Sequence, residues 1–160
     1  MKKLILQLSS ERWDVALNIS SELVHYGEQA VPELLILLDD NKSQVRDLAA
    51  LTLRDINSNL AVHKLFEVIK KRKKEGSIST LVYALELLDC RDYFLDVFNL
   101  CLSSKADVSM SAMEIFFTQG FIVNDDNIAK ASELLEEWYL VKKDVERYGH
   151  LKDRLNDFLE

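Results

Sequence analysis

The side chains that could do chemistry in this chain are three histidines (His25, His63, His150), two cysteines (Cys90, Cys101) and two adjacent carboxylate pairs, Asp125–Asp126 and Glu136–Glu137. Histidine serves acid–base and metal-binding roles, but these three fall on three different predicted helices with no shared spacing. Adjacent carboxylates point to different sides of a helix, so neither pair makes an acid–base couple. Asp125 is better placed as the N-cap of a helix beginning near Asn127. No other cysteine or histidine stands at metal-ligand spacing from Cys90 or Cys101, and both lie in strongly apolar segments. Free cysteine tends to be buried, which favours two reduced thiols over a disulfide or a reactive thiol. No G-x-S-x-G, H-E-x-x-H or phosphate-loop pattern occurs. The expectation is no enzyme, no metal and no cofactor.

Without catalytic spacing, what remains is surface. Net charge is −7 and unevenly spread: residues 1–80 hold 12 basic and 11 acidic side chains, residues 81–160 hold 8 and 16. The acidic surplus in the C-terminal half repels a polyanion and attracts and steers a basic protein. One basic run, Lys70-Lys71-Arg72-Lys73-Lys74, stands at a predicted helix end just before Gly76. The helix dipole favours cations there, which accounts for the run without nucleic acid; phosphate contact is the weaker alternative.

The positioning elements are helices. With four glycines and one proline in 160 residues, the chain lacks the turns of an all-β protein, and its length suits one domain. Gly27, Gly76, Gly120 and Asn57 each fall where one apolar periodic segment ends, as C-terminal caps would. The opening MKKLILQLSSERWD has an apolar run too short for an export signal, and no segment approaches the roughly 20 apolar residues of a membrane helix, so the expected compartment is the cytoplasm. Periodicity predicts ten helices, at about 2–9, 11–26, 29–39, 43–56, 59–75, 77–89, 92–103, 106–118, 125–142 and 144–159. The last carries one apolar stripe (Val145, Tyr148, Leu151, Leu155, Phe158, Leu159), as a terminal cap would, with Gly149 as a candidate kink.

One stretch reads as a complete helix–turn–helix unit: Gly27 to Asn57, GEQAVPELLILLDDNKSQVRDLAALTLRDIN. Pro32 sits in the first turn of a helix with Val31, Leu34, Leu35 and Leu38 on its apolar face. Asp39, Asp40 and Asn41 break it, and Val45, Leu48, Ala49, Thr52, Leu53 and Ile56 share one face of the next helix. Such a unit cannot bury its apolar face alone, so similar units are expected beside it. Shifting by −30, +34 and +63 residues places Ala49 or Leu53 on Ile19, Leu23, Leu87, Ala112 and Phe116, a degenerate repeat.

The segment AVPELLILL, the acidic turn Asp39–Asp40 and VRDLAALTLRDI resemble a HEAT repeat of the short bacterial type. The resemblance implies an all-α, right-handed solenoid of antiparallel helix pairs over one domain, 1–160, with 144–159 as its C-terminal cap. In that family the turn aspartate and the arginine after valine form a ladder; those positions here are Asp40 and Arg46. Ala16, Thr80 and Ser109 replace the arginine in the other copies. Small acidic proteins of this kind often serve as immunity proteins for nuclease toxins. The leading expectation is therefore a non-catalytic binder that neutralises a basic toxin. The alternative is a HEAT-repeat scaffold or adaptor, chaperone-like or phycobilin-lyase-like. A nucleic-acid enzyme like the HEAT-like DNA glycosylases comes third, because it needs a basic groove.

The repeat alignment also marks an apolar excess. Where the clearest unit has Asp47 and Arg54, the others have Leu17 and Val24, Leu81 and Leu88, and Met110 and Phe117. Core thickening is the simpler reading. The functional reading is a concave patch in which Glu86, Asp89 and Glu114 pair with partner lysines or arginines around an apolar centre of Leu81, Leu88 and Phe117. A second candidate patch is Glu133, Glu136 and Glu137 beside Trp138. Trp13, Trp138 and Tyr139 are the aromatic residues best suited to an interface hot spot.

Overall fold

A computed structural model describes residues 1–10, 12–74 and 78–159. Among these the protein is all helical, with ten α-helices and no strand. The chain divides into two compact units, Met1–Asp89 and Cys90–Glu160.

The first unit holds α1 (Lys2–Ser10), α2 (Trp13–Val24), α3 (Val31–Leu37), α4 (Ser43–Ile56), α5 (Ala61–Arg72) and α6 (Ser79–Ala84). Pro32 stands in the first turn of α3, where its missing N–H costs no helical hydrogen bond. The apolar face read from Gly27–Asn57 is the buried one: Val31, Leu34, Leu38, Val45, Leu48, Ala49 and Leu53 are all at most 2% exposed. Ala49 and Ala50 let neighbours approach α4, which packs against α2, α3 and α6. Asn57 closes α4 in the left-handed conformation (φ 59°), and Gly27 is left-handed as well (φ 54°) just beyond α2. Gly76 and the expected break at residues 75–77 lie outside the described residues. The predicted third and sixth helices are shorter than expected, because 3-10 turns at Gly27–Gln29 and Leu85–Leu87 take their ends.

Three polar clips join segments about one repeat apart. The Ser58 hydroxyl donates to Glu28 Oε2 (3.2 Å), and the Asp89 N–H to Asn59 Oδ1 (2.8 Å), each across 30 residues. Ser20 and Thr52 share a buried 2.6 Å hydrogen bond across 32. Arg46, 2% exposed, donates from Nη1 to the carbonyls of Asp40 (2.7 Å) and Asn41 (3.0 Å), while the Asp40 carboxylate accepts from the Lys42 N–H. The arginine thus ties down its own turn through main-chain oxygens.

The second unit holds α7 (Phe94–Cys101), α8 (Ala106–Thr118), α9 (Asp125–Lys142) and α10 (Val145–Asp157). Its core is a phenylalanine cluster: the Phe94 ring lies 5.5–6.3 Å from those of Phe98, Phe116, Phe121 and Phe158. Asn124, not Asp125, caps α9, accepting from the Asn127 N–H at 2.8 Å. Asp125 instead sits in the first turn, favourable toward the helix dipole. Gly120 is not left-handed, so its expected role as a cap is not the one it plays. Of the predicted α10 stripe only Leu151 and Leu155 are fully buried; Val145 and Leu159 are 68% and 64% exposed. No helix among the described residues is long and apolar enough to cross a membrane.

Candidate functional site

The six residues expected to form one concave patch have separate fates. Leu81 and Leu88 are 0% and 1% exposed, so they serve the core of the first unit, as the simpler reading had it. Glu86 and Asp89 are half-buried at the end of the same unit, where the Asp89 main chain is held by Asn59. Glu114 and Phe117 belong to the second unit, and both are exposed.

These last two do share a site. On α8, Met110, Met113, Glu114 and Phe117 follow the i, i+3, i+4, i+7 spacing that puts side chains on one helical face. They line a groove of about 530 Å³ whose other wall is His150 of α10. An adjoining cavity of about 210 Å³ shares Met113 and His150 and runs on past Asp144, Glu146 and Arg147. Met110 is 70% exposed and Phe117 41%, while the neighbouring Phe116 is fully buried and meets Phe117 edge-on at 5.7 Å. Successive residues point to different sides of a helix, so the phenylalanine pair supplies both the core and the groove. Arg154 donates to the carbonyls of Phe116 (3.4 Å) and Gln119 (3.3 Å), joining α10 to the end of α8.

The charges around the groove are mixed in their engagement. Arg147 is held by the Asp144 carboxylate (3.4 Å) and the Ser103 carbonyl (3.1 Å), with its guanidinium over the Trp138 ring. Glu114 and Glu146 make no side-chain ion pair among the described residues. Met113 and Glu146 did not stand out in the sequence, and His150 stood out only as one of three histidines with no shared spacing. Met113 was readable from the α8 spacing, but α10 lies some 30 residues onward, and no local pattern pairs the two helices.

The second acidic patch is largely committed internally. Glu133 pairs with Lys130 (2.9 Å). Glu136 accepts from the Tyr148 hydroxyl (2.5 Å) and from Lys152 (3.1 Å), and these bonds hold its carboxyl below the usual range. Glu137 is exposed; Trp138 is half-buried, its indole Nε1 enclosed without a hydrogen-bond partner among the described residues. Tyr139 stacks on Tyr148 at 4.3 Å, and Trp13 is 45% exposed on the first unit.

His25 Nδ1 lies 3.0 Å from the Ser21 carbonyl, and no cluster of three potential metal ligands occurs among the described residues. Cys90 and Cys101 are buried and not joined in a disulfide, and burial pushes the Cys101 thiol far above its ordinary value. In the basic run, Lys71 pairs with the Asp39 carboxylate (3.5 Å) and Arg72 reaches the Asp39 carbonyl (3.5 Å). Lys64 is closer still to Asp39, at 2.6 Å.

No protein-family model matches the chain, and a search of curated proteins finds no significant match.

Proposed function

We infer that this is a non-catalytic protein-binding module built of HEAT-like helix pairs in a right-handed superhelix, and that its partner is basic. The observation that carries this reading is the α8 stripe: a methionine 70% exposed and a phenylalanine 41% exposed beside a carboxylate with no ion pair among the described residues, in an open groove. Exposed apolar side chains that cluster at one groove with charged edges mark interaction sites more than scattered ones do. The repeat is supported by the three polar clips across 30 and 32 residues, and by a fourth across 29, where the Cys90 N–H donates to Gln119 Oε1 (2.9 Å). Sign is supported by charge: Cys90–Glu160 contains 8 basic and 14 acidic residues.

The most concrete form of this reading is an immunity protein that neutralises a nuclease-type toxin in the cytoplasm. Nuclease surfaces are cationic because they hold phosphates, and an inhibitor with apolar anchors and free carboxylates complements them. Two buried cysteines outside any disulfide suit a reducing compartment. A scaffold or adaptor is the second reading. It is favoured by another apolar exposure at the α9–α10 turn, where Leu140, Val141 and Val145 are 67%, 77% and 68% exposed.

The test is affinity capture from the source organism with wild-type and Phe117→Ser baits, followed by co-expression of any captured protein. A basic partner retained by the first bait and lost from the second supports the reading, and toxicity relieved by the wild-type chain supports the immunity form. An acidic partner, or a basic one held equally by both baits, overturns the groove as the site.

A further inference from the structure

We propose that the groove between α8 and α10 receives a cationic amphipathic helix; this rests on the reading of the chain as a binder of a basic protein and names the part of the partner that enters. The apolar floor is Met110, Met113 and Phe117, at i, i+3 and i+7 of α8. It therefore extends over two turns, about 10 Å, which is the length over which a docked helix presents its own i, i+3 or i+4, and i+7 anchors. An extended peptide gains most of its affinity by pairing with a free sheet edge, and both walls here are helices whose main-chain groups bond within themselves. Unbranched, polarizable methionines adapt to the side chains of an inserted helix.

Charge sets the sign of the occupant. Glu114 lines the groove itself and Glu146 the adjoining cavity that shares Met113 and His150 with it, and neither carboxylate is neutralised by an ion pair among the described residues. The fixed cation nearby, Arg147, is already engaged by Asp144 and Ser103. A helix with lysines or arginines beside its apolar face meets Glu114 in the groove and Glu146 in the cavity that continues it. An anionic helix meets two like charges in the same place.

The experiment uses the full chain and a fluorescent leucine–lysine peptide whose leucines lie on one helical face. Two controls accompany it: the same composition with leucines scattered around the helix, and a leucine–glutamate counterpart. Binding is read by anisotropy. The facial lysine peptide should bind at least about tenfold more tightly than either control. Met110→Lys with Phe117→Ser should weaken it by at least about tenfold, whereas Ile36→Lys with Leu60→Ser, the same change of charge and polarity on exposed sites of the first unit, should leave it unchanged. Met110→Ser alone, read with its thermal midpoint, gives the same direction if the double variant folds poorly. Glu114→Gln with Glu146→Gln should flatten the salt dependence. Equal binding of the scattered peptide, or equal loss in the first-unit variant, means general attraction to an acidic protein and overturns the proposal. If the bait experiment yields a groove-dependent basic partner while the facial peptide does not bind, the helical occupant is wrong and the binding reading stands. If no partner depends on Phe117 either, both fall.

Discussion

In Met1–Asp89 the buried side chains are almost all aliphatic, with Phe66 the one buried aromatic among the described residues; Cys90–Glu160 carries the other six of seven phenylalanines. One repeat position is also treated differently on α4 of the first unit and α8 of the second. On α4, Asp47 hydrogen-bonds Thr80 and the Arg54 guanidinium lies 4.3 Å from the Tyr83 ring centroid, so both residues serve contacts inside the first unit. The equivalent positions on α8, 63 residues onward, are Met110 and Phe117, and both are open to solvent. Where that position makes an internal contact, polar residues suffice. Where it does not, apolar residues remain exposed, and a partner is what gives them a stabilising role.

The largest effects should come from the cores. Leu53→Ala removes a fully buried side chain from α4 and should cost about 2–5 kcal/mol, and Phe116→Ala, at the equivalent place in α8, about 3–5 kcal/mol. The chain has two tryptophans, Trp13 in the first unit and Trp138 in the second, so Trp13→Phe and Trp138→Phe backgrounds report denaturation of each unit separately. Leu53→Ala should move the Trp13 transition more than the Trp138 transition, and Phe116→Ala the reverse. Identical shifts at both probes would mean that the two units unfold as one and differ only in composition.

Next in size are the effects on association, which separate the units by sign rather than by stability. Phe117→Ser should cut partner affinity by about tenfold or more with little change in thermal midpoint, because the side chain is already part-exposed. Association should slow as salt rises from low to physiological, since screening shortens the reach of the acidic second unit to about 8 Å. An indifferent rate would remove steering without removing the groove. Glu133, Glu136 and Glu137 sharpen the point: with Glu133 and Glu136 paired internally, their joint removal should slow association less than Glu114→Gln with Glu146→Gln.

Much of the helical order was legible because each signal is local. Pro32 marks the start of α3, Asn57 the end of α4, and the Leu53 face follows from spacing within a single helix. The misassignments are non-local or competitive. Asn124 and Asp125 are both good caps, and only the hydrogen bond to Asn127 separates them. Leu81, Leu88 and Phe117 look alike in an alignment, yet the first two are enclosed by neighbours and the third is not. That difference depends on which helices pack over each face. The groove was half legible for the same reason: α8 announces its stripe, and nothing in the sequence says that α10 forms the facing wall.

The smallest expected effects are electrostatic, and they oppose each other within the first unit. Half-buried Asp47 loses hydration, which raises its carboxyl above 3.8 despite Arg46 and the Thr80 hydrogen bond. The folded state then holds that proton more tightly than the unfolded chain. Its contribution is fully present below the unfolded value and is lost as pH rises through the folded one. Asp47→Asn should therefore stabilise the protein at neutral pH, with the gain vanishing on acidification. Asp39 runs the other way: the hydrogen bond from Lys64 lowers its carboxyl below 3.8, so its contribution is present at neutral pH and is lost as pH falls through the depressed value. Asp39→Asn should destabilise slightly at neutral pH, because the Asp39 carboxylate is exposed and solvent screens its pair with Lys64, and match wild type in acid. Thermal midpoints of the two variants, followed from neutral pH into acid, should approach wild type from opposite sides. Two curves on the same side would show that burial does not dominate at Asp47, and that this α4 position resembles its solvent-facing counterparts on α8 more closely than its contacts imply.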